Sequence, residues 1–215
     1  MSFPQRLIDG YNAFANGRLQ SEQHRYRELA ERGQKPEIMV IGCCDSRVSP
    51  EVIFDAGPGE LFVVRNVANL VPPFETGGTY HGVSAALEFG VGVLKVKHIV
   101  ILGHAHCGGV KAFAEDAAPI SPGDFIGRWM SLMAPALAKV GPRGSISHED
   151  YIERLEKASV VNTLDNLLTF PRLRKLIERG EVTLHGAYFG VALGELSVLD
   201  KATGEFRRIV ARTGP

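Results

Sequence analysis

The sequence predicts an α/β protein with a central, mostly parallel β-sheet, four parallel strands plus a short edge strand, flanked by helices. Three observations carry this. Four apolar runs, Ile38–Gly42, Leu61–Arg65, His98–Gly103 and Val182–Gly186, read as strands buried on both faces. Helical patterns separate them, and strands alternating with helices build a parallel sheet. With 215 residues, 45% of them hydrophobic, the chain can bury one sizeable core. We expect a single domain, with residues 1–35 as a helical arm and 36–215 as the α/β core.

Residues 3–16 and 21–33 read as two helices. The second carries Glu22, Arg25, Arg27, Glu28, Glu31 and Arg32 over much of its surface and stops at Gly33. So little apolar face predicts packing on a partner subunit. After the second strand, residues 82–94 are rich in Ala and Leu, and 106–116 form a helix starting at a glycine pair. Pro119–Gly123 reads as a surface loop. Asp124–Lys139 is amphipathic. Asp150–Phe170 places Ile152, Leu155, Val161, Leu164 and Leu168 at helical spacing and ends before Pro171. Leu196–Asp200 is a short last strand near an edge.

Lys+Arg and Asp+Glu balance at 24 each, which leaves no footprint for nucleic acid or an anionic membrane. The apolar stretches are too short to span a bilayer. Met1-Ser2-Phe3-Pro4-Gln5-Arg6 lacks the apolar segment of a secretory signal, so a cytoplasmic protein is expected. Three cysteines, two of them adjacent, argue for metal binding or free thiols rather than a disulfide framework. Gly57-Pro58-Gly59 precedes a strand instead of opening a helix after one, so it does not match a phosphate-cradling loop.

Two clusters follow strand-like runs: Cys43-Cys44-Asp45-Ser46-Arg47 and His104-Ala105-His106-Cys107-Gly108-Gly109. Open α/β sheets bind ligands beyond the carboxyl ends of their strands, so sequence-distant residues can meet there. Cys43, His104 and Cys107 supply two thiols and an imidazole, a donor set that selects zinc. Three ligands leave one tetrahedral position open, as in catalytic sites. Asp45 either fills that position or stands beside it. Arg47 decides by gripping the carboxylate in a two-point fork, so that zinc keeps a water. Zinc lowers the pKa of such a water from about 15.7 towards about 7.

The competing reading is a closed site in which Asp45 is the fourth ligand and no reaction occurs. Cys44, one step from Cys43 and facing the other way, reads as a small buried residue. His106 reads as a solvated histidine at a helix start. Val67, Leu70, Phe89, Gly108 and Gly109 are expected to wall a small, dry pocket suited to a small uncharged electrophile.

These residues resemble the β-class carbonic anhydrases. The resemblance rests on Cys43-x-Asp45-x-Arg47, on Arg65-Asn66-Val67-Ala68-Asn69-Leu70-Val71, and on Gly103-His104-x-x-Cys107-Gly108-Gly109. It extends to Asn166-Leu167-Leu168-Thr169-Phe170-Pro171 and covers about residues 36–200. It implies reversible hydration of carbon dioxide to bicarbonate, with zinc-bound hydroxide attacking the substrate. It further implies one zinc per subunit on Cys43, His104 and Cys107, with Asp45 and Arg47 as a catalytic dyad. The implied assembly is a homodimer or a dimer of dimers, with active sites at the interface and N-terminal helices embracing the partner.

One branch of that family has an allosteric bicarbonate pocket built from a tryptophan, an arginine and a late tyrosine. Here those places hold Val40, Arg65 and Phe189, so the resemblance implies the plant-like, non-allosteric branch, with Asp45 on zinc only in a closed state. After Pro72-Pro73 the chain reads Phe74-Glu75-Thr76-Gly77-Gly78-Thr79-Tyr80-His81 without a glutamine. Tyr80 and His81 are candidates for a substrate-side hydrogen bond in its place, or else form a capped helix start. His81 and His106 are candidates for a proton relay. Hydrolysis of carbonyl sulfide or carbon disulfide on the same fold is the second enzymatic reading, because a shared set of ligands does not exclude an isostere.

Overall fold

The structure, a computed structural model, describes residues 3–78, 81–116 and 125–210. The expected loop Pro119–Gly123, like Tyr80, lies outside these residues. Among the described residues one six-stranded sheet is formed by β1 (Ile38–Cys43), β2 (Leu61–Asn66), β3 (His98–His104), β4 (Thr183–Gly190), β5 (Glu195–Asp200) and β6 (Glu205–Arg208). The strand order is β2-β1-β3-β4-β5-β6. The first three pairings are parallel and the last two antiparallel. After β2 the chain crosses back to lay β3 on the other side of β1. The carboxyl ends of β1 and β3 therefore flank a topological switch point.

The four parallel strands agree with the sequence reading. The edge does not: Glu195–Asp200 is an inner strand, and Glu205–Arg208 forms the edge beyond it. Phe206 is the only apolar residue of that last strand, so alternation could not reveal it. Its charges also suit an exposed edge, where they discourage further pairing.

The helices are α1 (Gln5–Asn16), α2 (Arg18–Arg32), α3 (Pro50–Ile53), α4 (Gly82–Phe89), α5 (Gly108–Ala114), α6 (Phe125–Met130), α7 (Ala134–Val140), α8 (His148–Leu167) and α9 (Pro171–Glu178). Neither α1 nor α2 buries a residue within the chain. The second starts at Arg18, earlier than expected. The predicted helix 82–94 ends in a π turn over Gly90–Leu94. The predicted helix over 124–139 breaks into α6, a 3₁₀ turn at Ser131–Met133, and α7. Pro135 explains the break, since it has no N–H to give the preceding turn and its ring crowds that turn. Both α3 and α9 begin at a proline and are not expected from periodicity.

Met39 and Ile41 of β1, with Ile99 and Ile101 of β3, pack on one face of the sheet against Val160, Leu164 and Leu167 of α8. Val40, Leu102 and Ala187 form a smaller cluster on the other face. Each such side chain removed from water stabilises the fold by roughly 1.5–3 kcal/mol. Ser147 caps α8 by accepting the Asp150 N–H at 3.0 Å. The helix can approach β3 because of Gly103, where a Cβ would lie 2.5 Å from Val160 Cγ2. That approach brings α8 over the switch point.

At the opposite end of the sheet, His185 Nε2 lies 3.2 Å from His98 Nδ1. Burial, then the neighbouring His98 and Lys201, push the His185 pKa below its ordinary 6.5. The unfolded chain therefore binds this proton more readily than the folded one. This contribution is complete above about pH 6.5 and fades as the pH falls below it. His185→Gln is expected to flatten the acid side of the thermal-unfolding profile between about pH 7 and pH 5; an unaltered profile would rule the pair out as its source.

Candidate metal centre

Cys43 is the last residue of β1 and His104 the last of β3, while Cys107 immediately precedes α5. Their donor atoms all lie within 4.8 Å of one another, and all three residues are buried. His104 is 1% exposed. Its Nδ1 is 2.9 Å from the Ala105 carbonyl, and a carbonyl only accepts, so Nδ1 carries the hydrogen. The lone pair is then on Nε2, which is buried and has no hydrogen-bond partner. Leaving such an atom unsatisfied costs about 1–3 kcal/mol, which a bound metal would offset.

The thiols are prepared in the same way. A hydrogen bond from Cys107 is the main reason the Cys43 pKa falls to about 4, and the Ala68 N–H adds a contact to Cys43 Sγ at 3.4 Å. The same sulfur–sulfur contact, together with burial, pushes Cys107 up. The contact thus favours loss of the proton from Cys43 over loss from Cys107. A dication held here would be bound by both sulfurs as thiolates, with release of their protons. Two sulfurs and a free imidazole lone pair fit zinc.

Beside this cluster, Asp45 is gripped by Arg47. Oδ1 accepts from Arg47 Nε at 2.9 Å and from the Arg47 backbone N–H at 3.0 Å, and Oδ2 accepts from Nη2 at 2.7 Å. The Arg47 hydrogen bonds hold the Asp45 carboxyl well below the usual carboxylate range, against a smaller effect of burial. Arg47 Nη2 also donates to the His106 carbonyl at 3.0 Å, which ties the first cluster to the second. Arg65 braces the turn from beneath. Its Nε donates to the Cys43 carbonyl at 2.8 Å and its Nη2 to the Asp45 carbonyl at 2.6 Å.

Cys44 departs from the expectation of a buried residue, because it is exposed. The strand ends at Cys43, so Cys44 has already left the sheet. Val67 is 36% exposed, and its contact with Gly109 is close: a Cβ there would lie 2.9 Å from Val67 Cγ1. A Cβ on Gly108 would meet nothing within 4 Å, so this glycine borders open space. Leu70 is buried in the cluster that contains Cys43 and Cys107.

Phe89 is not brought to this group within the chain. Its ring packs on Phe62, toward the amino end of β2, whereas the cluster sits at the carboxyl end. His81 precedes α4, and its Nε2 is 2.6 Å from the Gly77 carbonyl. His106 is exposed at φ +56°, and it joins the Asp45–Arg47 pair through its backbone carbonyl.

Sequence reasoning missed Glu156 and Tyr188. Glu156 Oε1 accepts the Cys107 backbone N–H at 2.8 Å, and Oε2 accepts the Tyr188 hydroxyl at 2.7 Å. Burial raises the pKa of Glu156 despite both hydrogen bonds. One signal was available: this glutamate falls on the apolar stripe of α8, beside Ile152, Leu155 and Val160.

A mostly parallel α/β sheet whose switch point gathers a buried Cys-His-Cys donor set defines a zinc-site protein of the doubly wound class. A family model described as carbonic anhydrase matches residues 38–196. β-Carbonic anhydrase 5, chloroplastic, of Arabidopsis thaliana is 36% identical over 178 residues, covering 82% of this chain and 58% of that protein. The chain thus spans little more than half of that relative. The solved β-carbonic anhydrase CcaA superposes with a TM-score of 0.88 at 30% identity, covering 97% of this chain and 92% of that one. Two tetrameric β-carbonic anhydrases of Sordaria macrospora are represented by a structure with a TM-score of 0.79 at 29% identity, covering 91% and 95%. The chain belongs to the β-class carbonic anhydrases, which are zinc enzymes.

Proposed function

We propose that this protein catalyses the reversible hydration of carbon dioxide to bicarbonate and a proton. The observation that carries the proposal is the Cys43–His104–Cys107 donor set beside an aspartate whose two oxygens are both held by Arg47. Zinc held by those three residues would supply a Lewis acid that brings the pKa of a bound water to about 7. Asp45 stays ionised at neutral pH and acts as an acceptor only. Oδ1 already accepts twice from Arg47, whereas Oδ2 accepts once and keeps a lone pair, so Oδ2 is the atom that would orient a hydroxyl without taking its proton. The fork turns both oxygens toward Arg47, which supports a carboxylate held off the metal rather than a closed site. Val67, Gly108 and Gly109 offer apolar and open surface, suited to a linear molecule without a hydrogen to donate.

Val40 and Phe189 support placing the protein in the plant-like, non-allosteric branch. A homodimer or dimer of dimers is supported by α1 and α2, which bury nothing within the chain and leave Leu7 and Tyr11 exposed. We take residues 1–35 as the arm of a single domain. Unpaired thiols suit a reducing compartment such as the cytoplasm. No described helix is long and apolar enough to cross a membrane.

The test is a proton-release assay with zinc-loaded protein. Hydration at least about a thousandfold above buffer, abolished by a chelator and restored by zinc, is expected. Stoichiometric zinc with a rate at background, at or above neutral pH, would sink the proposal.

A further inference from the structure

We propose that Glu156 is a positioning residue for the Cys107 thiolate, and that it works by clamping one peptide group, with Tyr188 as its brace. The proposal rests on reading Cys43, His104 and Cys107 as the zinc ligands. The peptide in question joins His106 to Cys107. Its oxygen accepts from Arg47 Nη2 at 3.0 Å, and its N–H donates to Glu156 Oε1 at 2.8 Å. The same peptide plane is therefore held from one side by the arginine that grips Asp45 and from the other by a glutamate of α8.

This plane needs holding. His106 sits at φ +56°, a conformation that costs a residue other than glycine about 1–2 kcal/mol. Cys107 follows in an extended conformation at φ −67° and ψ 114°. Turning of the peptide between them changes ψ of His106 and φ of Cys107, and an uncompensated change at Cys107 would swing its Cα–Cβ bond. The sulfur would then leave the donor cluster. Local sequence alone does not prevent that rotation, but two long-range hydrogen bonds do.

Glu156 is built for the task. It is 3% exposed, and a carboxylate so buried destabilises the fold unless its oxygens are satisfied. Both are: Oε1 by the peptide and Oε2 by Tyr188, itself buried on β4. The brace matters because it leaves Glu156 one orientation. The result is a continuous chain of contacts from Asp45 through Arg47, the 106–107 peptide and Glu156 to Tyr188. Such outer contacts typically contribute 10–100-fold in metal affinity.

The test is zinc affinity by chelator competition, together with the absorption spectrum of the cobalt-substituted protein, whose thiolate bands report the sulfur geometry. Glu156→Leu is expected to weaken zinc binding by about 10–100-fold and to shift those bands. Glu156→Gln keeps an acceptor for the Cys107 N–H, and the Tyr188 hydroxyl can turn to accept from its amide. It is expected to match the parent in affinity and spectrum. Tyr188→Phe, which removes only the brace, is expected to give a smaller loss in the direction of Glu156→Leu, and it keeps the proposal testable should Glu156→Leu fail to fold. Parental affinity and spectrum in Glu156→Leu, or in Tyr188→Phe, would overturn the proposal. So would a Glu156→Gln variant as impaired as Glu156→Leu, since the acceptor would then not be what matters. A parent protein that takes up no zinc would overturn the ligand reading itself, and that result is distinct from all of these.

Discussion

Replacing His104 with alanine is expected to strip zinc from the protein and to bring carbon dioxide hydration down to background. The reason lies in the number of donors. With Cys43 and Cys107 alone, two sulfurs remain to hold the cation, and the lone pair that Nδ1 bonding to Ala105 had directed into the site is gone. A three-donor site losing one donor is expected to weaken by about a thousandfold, roughly 4 kcal/mol, out of the 10–16 kcal/mol typical of zinc held by protein ligands. Metal analysis after dialysis, read beside the proton-release rate, checks this. Thermal stability should lose its dependence on added zinc as well, because metal stabilises only the state that binds it. Stoichiometric zinc in the variant would show that His104 is not a ligand.

The second large effect is expected at Asp45, and it separates metal binding from turnover. Asp45→Asn preserves volume but places an amide N–H₂ where Arg47 offers its own donors, so one side of the fork is lost. Zinc should remain, while kcat/KM should fall by about a hundredfold, the cost of misplacing a reacting group by an ångström or so. Arg47→Met should act from the other side, freeing both carboxylate oxygens to turn toward the metal. Arg47→Lys keeps the charge but not the planar fork, and an intermediate rate is expected. Zinc analysis beside the proton-release assay reads all three. Full activity in Asp45→Asn would end the proposed role of the dyad.

Both experiments concern residues that the order of amino acids is enough to single out. Cys43, Asp45 and Arg47 are legible because they lie within five residues after a β-branched run, and His104 and Cys107 because they follow another. Local order places each set at a strand end. Glu156 is not legible as a site residue, although its position on an apolar helix face marks it as unusual. Its partner, the Cys107 N–H, is a backbone group far upstream, and a backbone group leaves no mark in a sequence. Arg65 is similar: its bonds go to the carbonyls of Cys43 and Asp45, so its side chain suggests charge but not a brace. Phe89 is apolar, and on that ground it is expected in the wall beside the metal. In the fold it packs on Phe62 instead.

Two elements are hidden for comparable reasons. A single phenylalanine among charges cannot signal β6, and the continuous amphipathic pattern over 124–139 conceals a break that Pro135 imposes.

The amino-acid sequence by itself determined which segments become parallel strands and which chemical groups stand at their ends, because strand burial and residue adjacency are local properties. Only the tertiary structure decided that β1 and β3 lie side by side, and that the 106–107 peptide is held between Arg47 and Glu156. Those contacts join groups far apart along the chain. Sheet pairing sets β1 beside β3 and packing of α8 brings Glu156 to Cys107, and no local spacing encodes either.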